Sequence, residues 1–323
     1  MENEKTVKEK TVQEKNASWL ANQTKMTGFG ETNEAEILEK IKSGIPEFSV
    51  KVFREFKFDN DLPPDVTESN LHISMGKKEY YHFNKYDTRI ITRPLDPIAS
   101  MVEMVNVDGK FPQNTFTLKE IYNQKLNGSV EKEISYEQKN KLTGEIELDE
   151  HGEKIVLSFK TWKKANHRQL NDKGVYPKMS FKFSNWEAIL QKYPIKELLD
   201  PERREAILRG LRKGNAVLVT LTSGQTELKR HIEIDAELKT IRVSEQNPRL
   251  YNAEKFKLNQ QIEATKTDLN EEGKGESHKV AEENILKKKE SHKLNGRTSV
   301  AKSNNKSQPT KSAKRKSTGM VRK

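Results

Sequence analysis

Between Thr115 and Glu245 the chain passes twice through one order of local signals: a capped amphipathic helix, a glycine stop, then three alternating strands. Each glycine marks a change of hydrophobic period from about 3.6 to 2, which restricts where helices and strands can begin. In the first pass, "TFTLKEIYNQKLNG" offers Thr117 as N-cap and Glu120 as its capping-box partner. Phe116 and Ile121 stand at staple positions, and Gly128 is the expected stop. "SVEKEISY", "KIVLSFKTW" and "KMSFKF" follow as strands, the last alternating Met179, Phe181 and Phe183 with polar residues. The second pass opens with Asp200 and Pro201 as N-cap and first helical residue of "PERREAILRGLRKG". Its strands are "NAVLVTLT", "TELKRHIEI" and "KTIRVSE", the first two joined across Ser223-Gly224. Between the passes, Ser184 and Glu187 stand at capping-box spacing in "SNWEAILQKYP", a helix that must end before Pro194.

The expected fold class is therefore α+β, with two degenerate helix-then-three-strand repeats forming a core domain over 112–246. The first pass carries an extra polar segment, "EQKNKLTGEIELDEHGE", and its Leu126-x-Gly128 corresponds to Leu211-x-x-Gly214 in the second.

The flanks are weaker in pattern. Residues 1–45 are expected to be largely disordered with one short helix in "NEAEILEKIKSG", capped by Asn33, closed by Gly44 and striped by Ile37, Leu38 and Ile41. Residues 46–110 alternate in "FSVKVFREFKF" and "TRIITR" and carry Pro63, Pro64, Pro94 and Pro97, which predicts a small β-rich region. A linker over 247–285 holds a partial helix with Phe256, Leu258 and Ile262, and 286–323 is expected to be a disordered basic tail. With 33% apolar and 33% charged residues, the chain is too polar for all of it to enter a packed core.

Cysteine is absent, which excludes disulfides and thiolate metal sites and fits a reducing cytoplasm. "MENEKTVKEK" lacks the apolar centre of a signal peptide, and "PIASMVEMV" falls far short of the ~20 apolar residues that span a bilayer. A cytoplasmic protein without membrane attachment is the expectation.

The formal net charge of +11 is localised. Thirteen of the 59 Lys/Arg and one of the 48 Asp/Glu lie in 286–323, leaving 46 basic and 47 acidic residues in 1–285. Lys287, Lys288, Lys289, Lys314, Arg315 and Lys316 form the densest runs. Cations on such a tail bind polyanions by releasing counterions, without reading sequence. DNA or RNA is the expected partner.

Three stretches of the core invite a site. In "RGLRKGN" the order is helix first and strand after, the reverse of a phosphate loop, so Gly214 is expected to be a helix stop. There Ile207, Leu208 and Leu211 share the apolar arc and Arg209, Arg212 and Lys213 face away. On "RHIEIDAE", His231, Glu233 and Asp235 share one strand face, expected to be a solvated face and not a metal or acid–base site. In "FKTWKKANHRQ", Lys160, Lys163, Lys164 and Arg168 surround Trp162, with His167 nearby: a platform for phosphates and a stacked base, or a core tryptophan beside a solvated loop. The acidic insert upstream could neutralise that patch. No zinc spacing, HExxH, GxSxG or dinucleotide fingerprint occurs, so neither a cofactor nor an enzymatic activity is implied.

"TFTLKEIYNQKLNG", "YPIKELLDPERREAILRGLRKGNAVLVTL" and "LKTIRV" resemble a domain family of Bacteroidetes of unknown function, commonly encoded on conjugative or mobilisable elements. The matching runs are Phe116 to Glu120, Pro194 to Leu198, Lys213 to Asn215 and Lys239 to Ile241, over roughly 112–250. The chain departs from the pattern at Gly128-Ser129, where the family often has Gly-Arg, and at "IDAE", where it often has Ala-Asn-Pro. The resemblance implies a genomic setting: an accessory protein, with nucleic acid or another protein of the same element as partner. An open strand edge after "KTIRVSE" is the expected surface for a scaffold.

Overall fold

Thr11 accepts from the backbone N–H of Glu14, and the Glu14 carboxylate accepts from that of Thr11, a capping box that starts helix α1 (Val12–Thr24). In this computed structural model, which describes residues 10–31, 34–57, 63–171 and 175–251, α1 is a second helix within 1–45, where one short helix was expected. Ala17 and Leu20 are fully buried, and a π-turn over Lys25–Phe29 delivers Phe29 to the same core. The helix is otherwise polar, so its order depends on tertiary contacts. Asn16 illustrates them: its amide donates to the carbonyl of Tyr81 at 3.1 Å and accepts from the Tyr81 N–H at 3.0 Å. Helix α2 (Glu34–Lys42) buries Ile37 and Ile41 as its stripe predicts, and Gly44 takes φ +68 beyond its end. The proposed cap Asn33, the linker helix and the whole basic tail lie outside the described residues.

The β-rich region is a four-stranded antiparallel meander of β1 (Glu47–Phe56), β2 (Asp65–Met75), β3 (Tyr81–Ile90) and β4 (Glu103–Asn106). Before β4, Asp96 caps the single turn α3 (Pro97–Ser100). The next helix, α4 (Leu118–Lys125), has the predicted Thr117–Glu120 box, and its Leu118 and Ile121 enter one core with Leu71, Ile73 and Tyr86 of the meander. The described residues belong to one compact unit that runs to Asn259.

Two further meanders follow. The sheet β5-β6-β7 comprises Val130–Glu137, Val156–Ala165 and Lys178–Phe181. The polar insert lengthens its first hairpin through isolated bridges at Lys139–Ile146 and Leu148–Lys154. Helix α5 (Trp186–Leu190) lacks the expected box: it is capped at Asn185 without a side-chain bond, and Glu187 instead pairs with Arg212 at 2.7 Å. Asp200 and Pro201 then start α6 (Pro201–Arg212) as predicted. Beyond α6 the sheet runs β10-β9-β8, from β8 (Val217–Ser223), β9 (Thr226–Asp235) and β10 (Thr240–Ser244). Trp162, Trp186, Leu211, Val219, Ile232 and Ile241 contribute to its core.

The order helix-then-three-strands thus occurs twice, and the fold is mixed α+β. The shared order stops short of establishing a duplication, since α4 has 8 residues and α6 has 12, and α5 lies between the two runs without a counterpart. The two glycine junctions do touch. Asn123 of α4 donates to the carbonyl of Lys213 at 2.6 Å and to Asn215 Oδ1 at 2.8 Å. Asn127, and not Gly128, takes the left-handed conformation after α4 (φ +66). Gly128 is needed for a different reason: a Cβ there would lie 2.8 Å from the carbonyl oxygens of both Asn123 and Gly214.

Candidate functional site

Strand β6 carries the Trp162 stretch across the middle of its sheet, and pairing with β7 turns the indole inward. Trp162 is 1% exposed, donates from Nε1 to the carbonyl of Phe183 at 3.2 Å, and meets Trp186 edge-on. No face is open to a base, so the stacking platform is corrected to a core tryptophan. Its basic neighbours divide. Lys160 is exposed, and Lys163 donates to Ser180 at 2.6 Å. Lys164 is buried and paired with Glu237 at 3.1 Å and Asp235 at 3.8 Å. Arg168 is exposed and reaches the other Glu237 oxygen at 3.5 Å. The acids that neutralise this patch are thus Asp235 and Glu237, not those of the upstream insert. His167 lines a cleft together with Lys164, Arg168, Asp235 and Glu237, and burial lowers its pKa.

The strand face of His231, Glu233 and Asp235 also differs from expectation. Glu233 and Asp235 are buried together with Ile232 and Ile234, because the end of β9 is covered on both faces. A buried carboxylate must be paired, and cations from distant segments meet these two. Arg249 reaches Glu233 at 2.5 Å, Arg242 lies 3.5 Å from Glu233 and also pairs with Asp235, and Lys164 comes from β6. Among the described residues no group of three or more His, Asp or Glu is placed to hold a metal ion.

Arg249 is the residue that the sequence pattern left unmarked, and it ties the ends of α4 and α6 to β9. It is 3% exposed. Nη1 donates to the carbonyl of Leu126, the C-cap of α4, at 2.7 Å, and Nη2 to that of Gly214, just past α6, at 3.2 Å. One guanidinium therefore serves carbonyls at two helix C-termini, where unpaired acceptors and the negative dipole end favour a cation. Its own carbonyl accepts from Arg93 Nη2 at 2.5 Å. Arg93 is in turn forked onto Asp65, whose Oδ2 also accepts from the Tyr122 hydroxyl at 2.6 Å. Burial and the Asp65 charge push the Tyr122 hydroxyl far above its usual range. The only sequence signal for Arg249 is the turn in "QNPRLY", where Asn247 Oδ1 accepts from the Arg249 N–H at 3.0 Å.

The "RGLRKGN" stretch is a helix stop. Ile207, Leu208 and Leu211 are buried, Arg209 and Lys213 are exposed, and Gly214 takes φ +77. The Gly214 carbonyl faces the cation of Arg249, the opposite of an anion cradle. Chemically, the central network presents carboxylates matched to guanidinium, ammonium or phenol groups, an arrangement that fixes segments relative to one another.

No protein-family model, no curated protein and no solved structure matches the chain. No helix among the described residues is long and apolar enough to cross a membrane.

Proposed function

We propose that the protein binds nucleic acid without base specificity through its basic segment 286–323, as a non-enzymatic accessory of the mobile elements that the sequence resemblance implies. The observation that carries this reading is the partition of charge: thirteen Lys/Arg against one acid in that segment, and near balance before it. The Trp162 stretch adds support, because Trp162 is buried and Lys164 and Arg168 are paired with Asp235 and Glu237, so this stretch competes poorly for phosphate. The alternative, a scaffold using the β10 edge, has less behind it: the Tyr193 hydroxyl donates to the Ile241 carbonyl of that strand at 3.3 Å.

Anisotropy titrations with single-stranded DNA and RNA test the proposal, comparing the full chain with one in which Lys287, Lys288, Lys289, Lys314, Arg315 and Lys316 are all Gln. Each lost phosphate contact removes about 0.7 from the slope of log affinity against log salt, so the six-fold variant should lose about 4. Equal affinity and equal slope for the two chains would sink the reading.

A further inference from the structure

The two outer edges of the β5–β6 hairpin are finished differently. On β5, the Asn114 side chain stands in for a neighbouring strand: its Nδ2 donates to the Ser135 carbonyl at 2.9 Å, and its Oδ1 accepts from the Ser135 N–H at 2.8 Å. On the other side, β7 pairs only with Trp162–Ala165 of β6, and among the described residues no strand pairs with Val156–Lys160 along that edge. All five of these residues are exposed, although β6 is the middle strand of its sheet. Two bonds fix which backbone groups face out. The Gln138 N–H donates to the Ile155 carbonyl on the β5 side, and the Asn166 N–H donates to the Pro177 carbonyl on the β7 side. Alternation between them aims the N–H and C=O of Val156, Ser158 and Lys160 at the open edge. The run "VLSF" carries neither a charge nor a proline, two usual protections of such an edge.

The hairpin face beside that edge is apolar. Phe159 lies opposite Ile134 and Leu157 opposite Tyr136. Phe159, Tyr136 and Leu157 are 49%, 45% and 39% exposed, and the Tyr136 and Phe159 rings meet edge-on at 6.2 Å. We propose that this edge joins a second copy of the chain, β6 against β6 in antiparallel, so that the two hairpins form one continuous sheet. The strand is complementary to itself. Only its even-numbered residues aim backbone groups at the edge, so bonding sets even positions against even ones and odd against odd. Leu157 and Phe159 of both copies then fall on one face, beside Ile134 and Tyr136 of both. Charge selects the register. With the two-fold axis at Ser158, Lys160 faces the partner's Val156; an axis one residue earlier would set Lys160 against the partner's Lys154.

The edge belongs to the folded unit and needs nothing from 286–323, so this proposal and the nucleic-acid proposal fail independently. Sedimentation velocity on the full chain, from about 1 to 200 μM, should show monomer passing to dimer. The net charge of +11 opposes association, so the runs are made in about 0.2 M salt, which screens exposed charges. Amide exchange should slow with concentration at Val156, Ser158 and Lys160, and not at Leu157 or Phe159, whose N–H groups already face β5. Ser158→Pro removes an outward N–H while sparing the β5 ladder, so it should leave a monomer. Ser158→Ala, which loses the same side-chain contact to Ser135, should dimerise like the parent. Leu157→Lys combined with Phe159→Lys, both at exposed positions, should raise the dimer dissociation constant at least about tenfold. If the proline lowers the melting temperature, the double lysine variant decides alone. Weakening by either variant with melting unchanged upholds the proposal. A dimer weakened by neither overturns it, as does a chain that is monomeric throughout, which would leave the edge to a strand of another protein.

Discussion

Arg249 uses one guanidinium to meet groups from three segments: the Leu126 and Gly214 carbonyls and the Glu233 carboxylate. Removing it leaves Glu233 buried with only the longer contact to Arg242, and uncovers two helix C-termini. Breaking one side of a buried pair costs about 3–5 kcal/mol. Arg249→Met should lose that much in urea unfolding, and Arg249→Lys should recover little, because an ammonium cannot fork across the same acceptors. A loss below about 1 kcal/mol would show that the network is incidental. Lys119 makes a prediction of opposite sign. Its folded pKa of about 8 lies below the ordinary lysine value of 10.5, so the unfolded chain holds the proton more tightly. Burying the charged form therefore weakens the fold below pH 8, and the penalty is relieved as pH rises from about 8 to 10.5. At ~1.4 kcal/mol per unit the effect is on the order of 3 kcal/mol. Unfolding midpoints measured at several pH values should rise across that window, and Lys119→Met should remove that part of the rise.

Helices differ in how much of their reason for forming is local. The caps of α4 and α6 were legible because Thr117–Glu120 and Asp200–Pro201 lie within a few residues of the N–H groups they satisfy. The strands of the last two meanders were legible through alternation. The burial of Glu233 and Asp235 was not, since alternation reveals two faces but not what covers the second. Arg249 stood outside every periodic segment, so its partners up to 156 residues away left no local trace. Helix α1 is the sharpest case. Its sequence "VQEKNASWLANQT" is polar, and only docking reveals that Leu20 is fully buried and that Asn16 pairs with the backbone of Tyr81. Leu20→Ala should therefore destabilise the whole unit by about 2–5 kcal/mol in thermal or urea unfolding. A surface helix would give less than about 0.5 kcal/mol. Asn16→Ala should cost about 1–3 kcal/mol, by leaving a buried N–H and carbonyl of Tyr81 unpaired.

At the scale of the whole molecule, the buried cations of the folded unit and the cations of 286–323 differ in how they are matched. In the folded unit, Arg93, Lys132, Lys164 and Arg249 are buried and matched to Asp65, Glu120, Glu237 and Glu233. In 286–323 cations outnumber acids thirteen to one. Salt acts differently on the two, because mobile ions screen exposed charges over about 10 Å at 0.1 M but barely reach desolvated pairs. If the proposed binding holds and six phosphates are neutralised, raising salt from about 0.05 to 0.2 M should cut single-strand affinity by roughly 300-fold. The unfolding midpoint over the same range should hardly move. Parallel titrations and melts on one preparation measure both. A midpoint that falls together with affinity would mean that the folded unit relies on exposed ion pairs.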